Sequence, residues 1–338
     1  MKAKIKTIWT AKELIAMPSG ESKFLLHNYL PSEGMGALVG MPGIGKSQFA
    51  RQLAILVAAG ATEFLGMRLN TIHRRVIYVT TEDYPDQIKF MLQKQLEGLG
   101  LDASENLIFI SAGMSSPEEL MKKIVDLATK YPVDLIVIDS YGDVFNGRDI
   151  NSNSEIRSSL KLFDEIAQQN HCFILFLHHI NKKGYSAKPG QEHVQGGSAF
   201  TQKLRTVFYL TDGKGDIREL NLVKGNYTSK KARENPLILE FSEENFLFKI
   251  TDLAFESEPE SEFRVVSREE KDITKILASK IFRDETLSAE EFLKRHREIT
   301  FQSDRTAYRN RQTMAKLGLI TEAPGGYRLN SEPMPEPK

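Results

Sequence analysis

Short apolar runs and longer amphipathic stretches alternate through the first half of the chain. GALVG is followed by a helical pattern from Lys46, RVIYVTTE by one from Gln87, NLIFISAG by PEELMKKIVDLATK, DLIVIDS by EIRSSLKLFDEIAQ, and CFILFLHH closes the series near Ile180. The runs LIVID and CFILFL lack polar alternation, as strands covered by helices on both faces require. This rhythm predicts an α/β fold with a mostly parallel sheet. After Gly197 the runs LRTVFYLT, IRELNLVKG, PLILEFS and NFLFKIT succeed one another with turn signals at Asp212-Gly213 and at 243–245, which predicts an antiparallel extension.

Residues 251–262, TDLAFESEPESE, carry five acidic side chains and no basic one, the composition of a solvated linker. Beyond it, Ser267 with Glu270 and Ser288 with Glu291 match the helix capping box, and a third helix is expected from about 303 to Leu317. GLITEAPGGYRLN reads as two strands joined at Pro324-Gly325-Gly326. Three helices and a hairpin predict a small winged-helix-like domain. The expected boundaries are 1–250 for the α/β domain, its first thirty residues an N-terminal extension, 251–266 for the acidic linker, 267–330 for the winged helix and 331–338 for a disordered tail.

Residues 40–47 satisfy G-x-x-x-x-G-K-[ST], preceded by a strand and followed by the helical stretch SQFARQLAILVAA, the context this phosphate-binding loop requires. Gly40, Met41, Pro42, Gly43, Ile44 and Gly45 are expected to turn backbone N–H groups onto the phosphates of ATP, continued by Gln48 at the helix start. Lys46 would reach the β- and γ-phosphates, and Ser47 would hold Mg2+. Asp139, closing the run VDLIVID, is the expected second magnesium ligand. VIYVTT ends in Glu82-Asp83, where a carboxylate beside the loop can orient and deprotonate an attacking water. Glu82 is assigned that role, while Asp83 serves equally well as a cap of the next helix. His178 and His179 leave an apolar strand together, and one of them can donate to the γ-phosphate. Neighbours on a strand point to opposite faces, so they make a poor pair of metal ligands.

These motifs together, with FLHHINKKG, GGSAFTQKLRTVFYL and LVKGNY further on, resemble the RecA-like ATPases of the plasmid replicative helicase (RepA-like) type over about residues 24–250. The resemblance implies a RecA-like P-loop core assembled into a ring, commonly a hexamer, with ATP between neighbours. It implies Glu82 as catalytic base, His179 as γ-phosphate sensor, and Arg205, joined by Lys224, as a finger entering the adjacent subunit's site. It places the segments 141–153 and 181–197 at a channel for single-stranded DNA, where Lys182, Lys183, Tyr185 and Lys188 suit a phosphate backbone and a stacked base. The family's arginine in the helix after Glu-Asp has no counterpart, since IKFML offers only Lys89.

In the C-terminal segment Arg305, Arg309, Gln312 and Lys316 recur at helical spacing on one face, as on a recognition helix, while Ala307, Met314 and Leu317 turn inward. Residues 264–319 hold thirteen Lys and Arg against nine Asp and Glu, a net of four positive charges. That favours contact with duplex DNA, and a replication protein is the alternative partner. The whole chain of 338 residues is neutral, with 45 basic and 45 acidic side chains, so nucleic-acid binding has to come from such local patches. No run is long and apolar enough to span a bilayer, no secretory h-region opens the chain, and the single cysteine, Cys172, lies in an apolar strand. A cytoplasmic location is expected. Three functional readings stand: a ring-forming DNA motor of helicase type, an ATP-switched helicase loader or regulator of DNA transactions, and a RecA-like recombination or defence ATPase.

Overall fold

Each apolar run becomes a strand, and their order in the sheet follows from helices that must cover both faces. The computed structural model describes residues 9–16, 24–113, 115–196, 198–228, 233–251, 268–283, 285–300, 307, 310–311, 313–315 and 317–330. It divides into two units, Met1–Ala254 and Phe255–Lys338.

The first unit is built on a nine-stranded sheet. Its strands in chain order are β1 (Gly34–Gly40), β2 (Val76–Thr80), β3 (Leu107–Ser111), β4 (Leu135–Asp139), β5 (Phe173–His179), β6 (Thr206–Asp212), β7 (Ile217–Gly225), β8 (Leu237–Ser242) and β9 (Leu247–Ile250). In space they run β9-β8-β7-β6-β1-β5-β4-β2-β3. The neighbours from β6 to β3 are all parallel. The pairs β6–β7, β7–β8 and β8–β9 are antiparallel. The expected antiparallel extension is present, but it starts one strand later than the first run after Gly197, because β6 joins β1 in parallel. The chain reaches β6 through a helix, α5 (Ala199–Lys203), and a crossover of this kind returns a strand in the same direction.

Residue parity divides the core. Ile136, Ile138, Ile174 and Phe176 pack with Leu120 and Ile124 of α3 (Pro117–Lys130) and with Leu160 and Phe163 of α4 (Asn153–Asn170). Leu135, Val137, Phe173, Leu175 and Tyr78 pack on the opposite face with Phe49, Leu53 and Val57 of α1 (Lys46–Ala59). Because alternate residues of a strand face opposite ways, this parity also decides which strand-end side chains point to the α1 face. Cys172 is fully buried, and burial pushes its thiol up to about 12, so it is a packing residue.

The antiparallel edge closes back onto α1. Gln52 Nε2 donates to Phe248 O at 3.0 Å, and Gln52 Oε1 accepts from Phe248 N at 2.8 Å, so one buried amide pairs with the β9 backbone as another strand would. Gln95, on α2 (Pro85–Leu99), donates to Gln48 O at 2.8 Å and Phe246 O at 2.9 Å. Gln52→Ala would leave the N–H and C=O of Phe248 buried and unpaired. We expect a loss of roughly 2–4 kcal/mol, read as a lower urea midpoint of unfolding.

The second unit contains α6 (Arg268–Phe282), α7 (Ala289–Thr300) and the antiparallel pair β10 (Ile320–Ala323) and β11 (Gly326–Leu329). The Ser288–Glu291 capping box is formed: Glu291 N donates to Ser288 Oγ at 3.2 Å and Ser288 N to Glu291 Oε2 at 3.0 Å. The described residues between 307 and 315 are helical, and Ala307 and Met314 enter a core with Ile281, Phe282, Phe292 and Ile320. The strand turn is tighter than expected, because Gly326 already pairs with Ala323. Arg305, Arg309, Gln312 and Lys316, the expected linker 251–266 apart from Thr251, Ser267, and the tail at 331–338 lie outside the described residues. Among the described residues no helix is long and apolar enough to cross a membrane.

Candidate functional site

The candidate residues from four strand ends meet at the carboxyl edge of the sheet, where ligands collect in open α/β folds. β1 runs out into the loop 40–45, and Gly43 and Gly45 take positive φ of 75° and 106°. A side chain at Gly40 would put its Cβ 2.6 Å from the carbonyl oxygen of Leu210, so only glycine lets the loop leave the sheet here. Lys46 and Ser47 open α1. Lys46 Nζ donates to Gly40 O at 3.1 Å and Met41 O at 2.8 Å, folding the ammonium over its own loop. Burial lowers its pKa to about 8, while Asp139 and Glu82 nearby pull the other way.

Asp139 has the parity of Leu135 and Val137 and so points to the α1 face. Tyr78 Oη donates to its Oδ2 at 2.9 Å. Burial raises the carboxyl pKa, and hydrogen bonds from Ser47 and Tyr78 work against that rise. A buried carboxylate beside a serine hydroxyl is an oxygen-only donor pair of the kind magnesium takes, and a divalent cation would offset the desolvation that opposes ionisation. Among the described residues no group of three or more His, Cys, Asp or Glu could hold a metal ion unaided. As an oxygen donor pair, Ser47 and Asp139 fit Mg2+, which when bound would neutralise phosphate charge.

Parity separates the two histidines. His179 pairs in register with Gly40, on the α1 side. Burial lowers its pKa and Lys46 lowers it further, so the ring stands beside the phosphate loop as a neutral donor. His178 faces the other way, its ring 5.3 Å from Tyr141 and 4.9 Å from Phe200. Its Nε2 donates to Gln195 O at 3.1 Å, and burial pushes its pKa down to about 4. His178 is thus a core side chain that ties the segment after β5 to the sheet.

Glu82 is exposed just past β2, within the field of Lys46 and Asp139. Neither it nor Asp83 caps α2: the N-cap is Tyr84, whose N–H donates to Gln87 Oε1 at 2.9 Å. Asp83 instead accepts from Arg51 Nη2 at 3.3 Å. Arg51 escaped the sequence reading. Its only signal is its place four residues after Ser47, on the same side of the helix. Thr81 and Ser140 were also missed. Their hydroxyls donate to Asp143 Oδ2 at 2.6 and 2.7 Å and fasten the turn after Asp139 to the end of β2.

Arg205 lies elsewhere. Its N–H donates to Met35 O at 2.8 Å at the amino end of β1, and its side chain is exposed. Five residue steps of strand take Met35 to Gly40, roughly 16 Å at 3.3 Å per residue, so within one subunit the guanidinium and the phosphate loop lie at opposite edges. Lys224 Nζ donates to the carbonyls of Thr201 and Gln202 at 2.8 and 2.9 Å, securing the end of α5. Lys182, Lys183, Tyr185 and Lys188 are all exposed on the segment after β5, beyond the phosphate loop itself. Asn181 Oδ1 holds that segment by accepting from Gly184 N at 3.1 Å.

A glycine loop, a lysine and serine at a helix start, and a buried aspartate on a neighbouring strand make this a P-loop nucleotide-binding core. The AAA domain family designated AAA_25 matches residues 2–185, and the chain belongs to that family of ATPases. A solved structure, "ATPase Domain of G40P", shares the fold with a TM-score of 0.51 at 13% identity, over 65% of this chain and 86% of that one. No curated protein matches.

Proposed function

We propose that the chain is a ring-forming, ATP-driven motor acting on DNA, of the replicative helicase type that serves a mobile element. The observation that carries this reading is the separation of Arg205 from Lys46, Glu82, Asp139 and His179 by the length of the central strands. A transition-state arginine at that edge serves only a neighbour's nucleotide, which requires head-to-tail assembly, closed into a ring in this reading, and couples hydrolysis to movement between subunits. In this reading Lys46 and the loop amides hold the triphosphate, and Ser47 and Asp139 hold magnesium. Glu82 takes the proton from the attacking water, and His179 donates to the γ-phosphate and reports its loss. The exposed Lys182, Lys183, Tyr185 and Lys188 suit single-stranded DNA in a central channel.

The test is strand displacement on forked DNA, together with the mass of the protein with and without ATP and single-stranded DNA. Unwinding and a hexamer-sized particle are expected, and monomers without unwinding would remove the motor. Arg205→Ala should lose most of its turnover alone. It should regain activity when mixed with Lys46→Ala, because each subunit then lends the part the other lacks, and no recovery in any mixture would exclude a trans role.

An ATP-switched helicase loader, or another regulator of DNA transactions, is supported by the second unit, whose two helices and strand pair suit the winged-helix reading, a module for duplex DNA or a replication protein. Slow turnover indifferent to single-stranded DNA, with duplex binding lost on removing residues 255–338, would select it. A recombination or defence ATPase would instead show open filaments by electron microscopy.

A further inference from the structure

Arg51 is the most conspicuous buried charge in the first unit that the reaction scheme leaves unused. It is 2% exposed, and only Nη2 has a partner, Asp83 Oδ2 at 3.3 Å. Nε and Nη1 are buried with no hydrogen bond. The guanidinium also lies 5.9 Å from the ring centre of Tyr78, the residue that bonds Asp139. A buried guanidinium with a single long contact is costly, and its place beside the catalytic edge calls for an explanation.

Asp83 supplies one. Its backbone N–H donates to Thr80 Oγ1 at 3.2 Å and its carbonyl accepts from Ser111 Oγ at 3.4 Å, so three contacts fasten this residue. The residue before it is Glu82, exposed and within reach of the Lys46 field. We infer that Arg51 and Asp83 are positioning residues: the arginine, rooted in the phosphate-loop helix, holds Asp83 and thereby sets where Glu82 stands relative to the γ-phosphate. The free donors on Nε and Nη1 allow a small advance of the 81–84 segment to turn one contact into two, which a lysine cannot reproduce. The inference rests on Glu82 being the base.

The experiment measures kcat, KM for ATP and thermal unfolding for Arg51→Lys, Asp83→Asn, Glu82→Gln and the double variant Glu82→Gln/Asp83→Asn. Arg51→Lys and Asp83→Asn should each lower kcat by about tenfold or more, the scale of a displaced reacting group, with KM little changed, while Tm falls because either change leaves a buried charge poorly paired. Asp83→Asn should add nothing to the loss in Glu82→Gln. A merely structural ion pair would move Tm and leave kcat alone, and that result overturns the inference. So does an Asp83→Asn loss that persists undiminished in the Glu82→Gln background. Wild-type turnover in Glu82→Gln removes both this inference and the base assignment, whereas inactive Glu82→Gln beside fully active Asp83→Asn removes this inference alone. Should Arg51→Lys fail to fold, Asp83→Asn carries the same test, since its carboxylate lies partly at the surface.

Discussion

Lys46→Ala is expected to fold as stably as the wild type and to turn over no measurable ATP. Both halves follow from one property of the ammonium, which burial brings down to a pKa of about 8. Below pH 8 the lysine is charged in the folded and unfolded chain alike, and the folded state bears the desolvation of that charge in full. Between pH 8 and the ordinary lysine value of 10.5 the folded protein releases the proton first, so this cost to stability fades as pH rises. Removing the side chain removes the cost, and Tm should not fall. Binding has the opposite sign, because a triphosphate favours the charged ammonium. Truncating one partner of such a pair typically loses about 3 kcal/mol, roughly a hundredfold in Kd. In the wild type, binding above pH 8 must take up a proton, so ATP affinity should weaken by up to about tenfold per pH unit there. Calorimetric titration between pH 7 and 9.5 checks this: the slope should be present in the wild type and absent in Lys46→Ala. A slope unchanged in the variant would assign it to another group.

The strands were legible because a buried strand needs an unbroken apolar run, and β2, β4 and β5 each supply one. Their order was not. Nothing in LRTVFYLT distinguishes a parallel neighbour of β1 from the start of a meander, since the periodicity records which faces are covered and says nothing of which edge is paired. At the site, the glycine loop carries its own spacing and can be read directly, and strand parity separates His178 from His179 once the covering helices are known. Arg51 could not be read in this way. A single arginine in FARQLAILVAA is indistinguishable from a surface residue until the end of β2 is seen to bring Asp83 against it. The same holds for Lys224, whose partners are backbone carbonyls of Thr201 and Gln202, groups that every sequence contains.

Glu82→Gln should bind ATP and magnesium at least as well as the wild type and lose hydrolysis by about 10²–10⁴-fold, the scale set by removing a positioned general base. Four carboxylates crowd this end of the sheet, and three are already engaged. Asp139 accepts from Tyr78 and faces Ser47, the pair proposed to hold magnesium. Asp143 accepts from Thr81 and Ser140. Asp83 is paired with Arg51. Glu82 and Asp143 are both exposed, but Asp143 is held by its two hydroxyl donors, whereas Glu82 stands where Lys46 feels its charge and so combines access to water with proximity to the phosphates. The amide keeps the shape of the side chain and its power to orient a water, but it cannot accept the proton. It also takes a negative charge away from a site that receives a triphosphate, which is why affinity should hold or rise as turnover falls. Equilibrium binding and single-turnover hydrolysis measured on the same preparation separate these effects. Weakened binding with a proportionate loss of rate would make Glu82 a structural support of the loop. Full activity would pass the proton to another acceptor, and Asp143, once freed from its two hydroxyl donors by Ser140→Ala and Thr81→Ala, would be the next to replace.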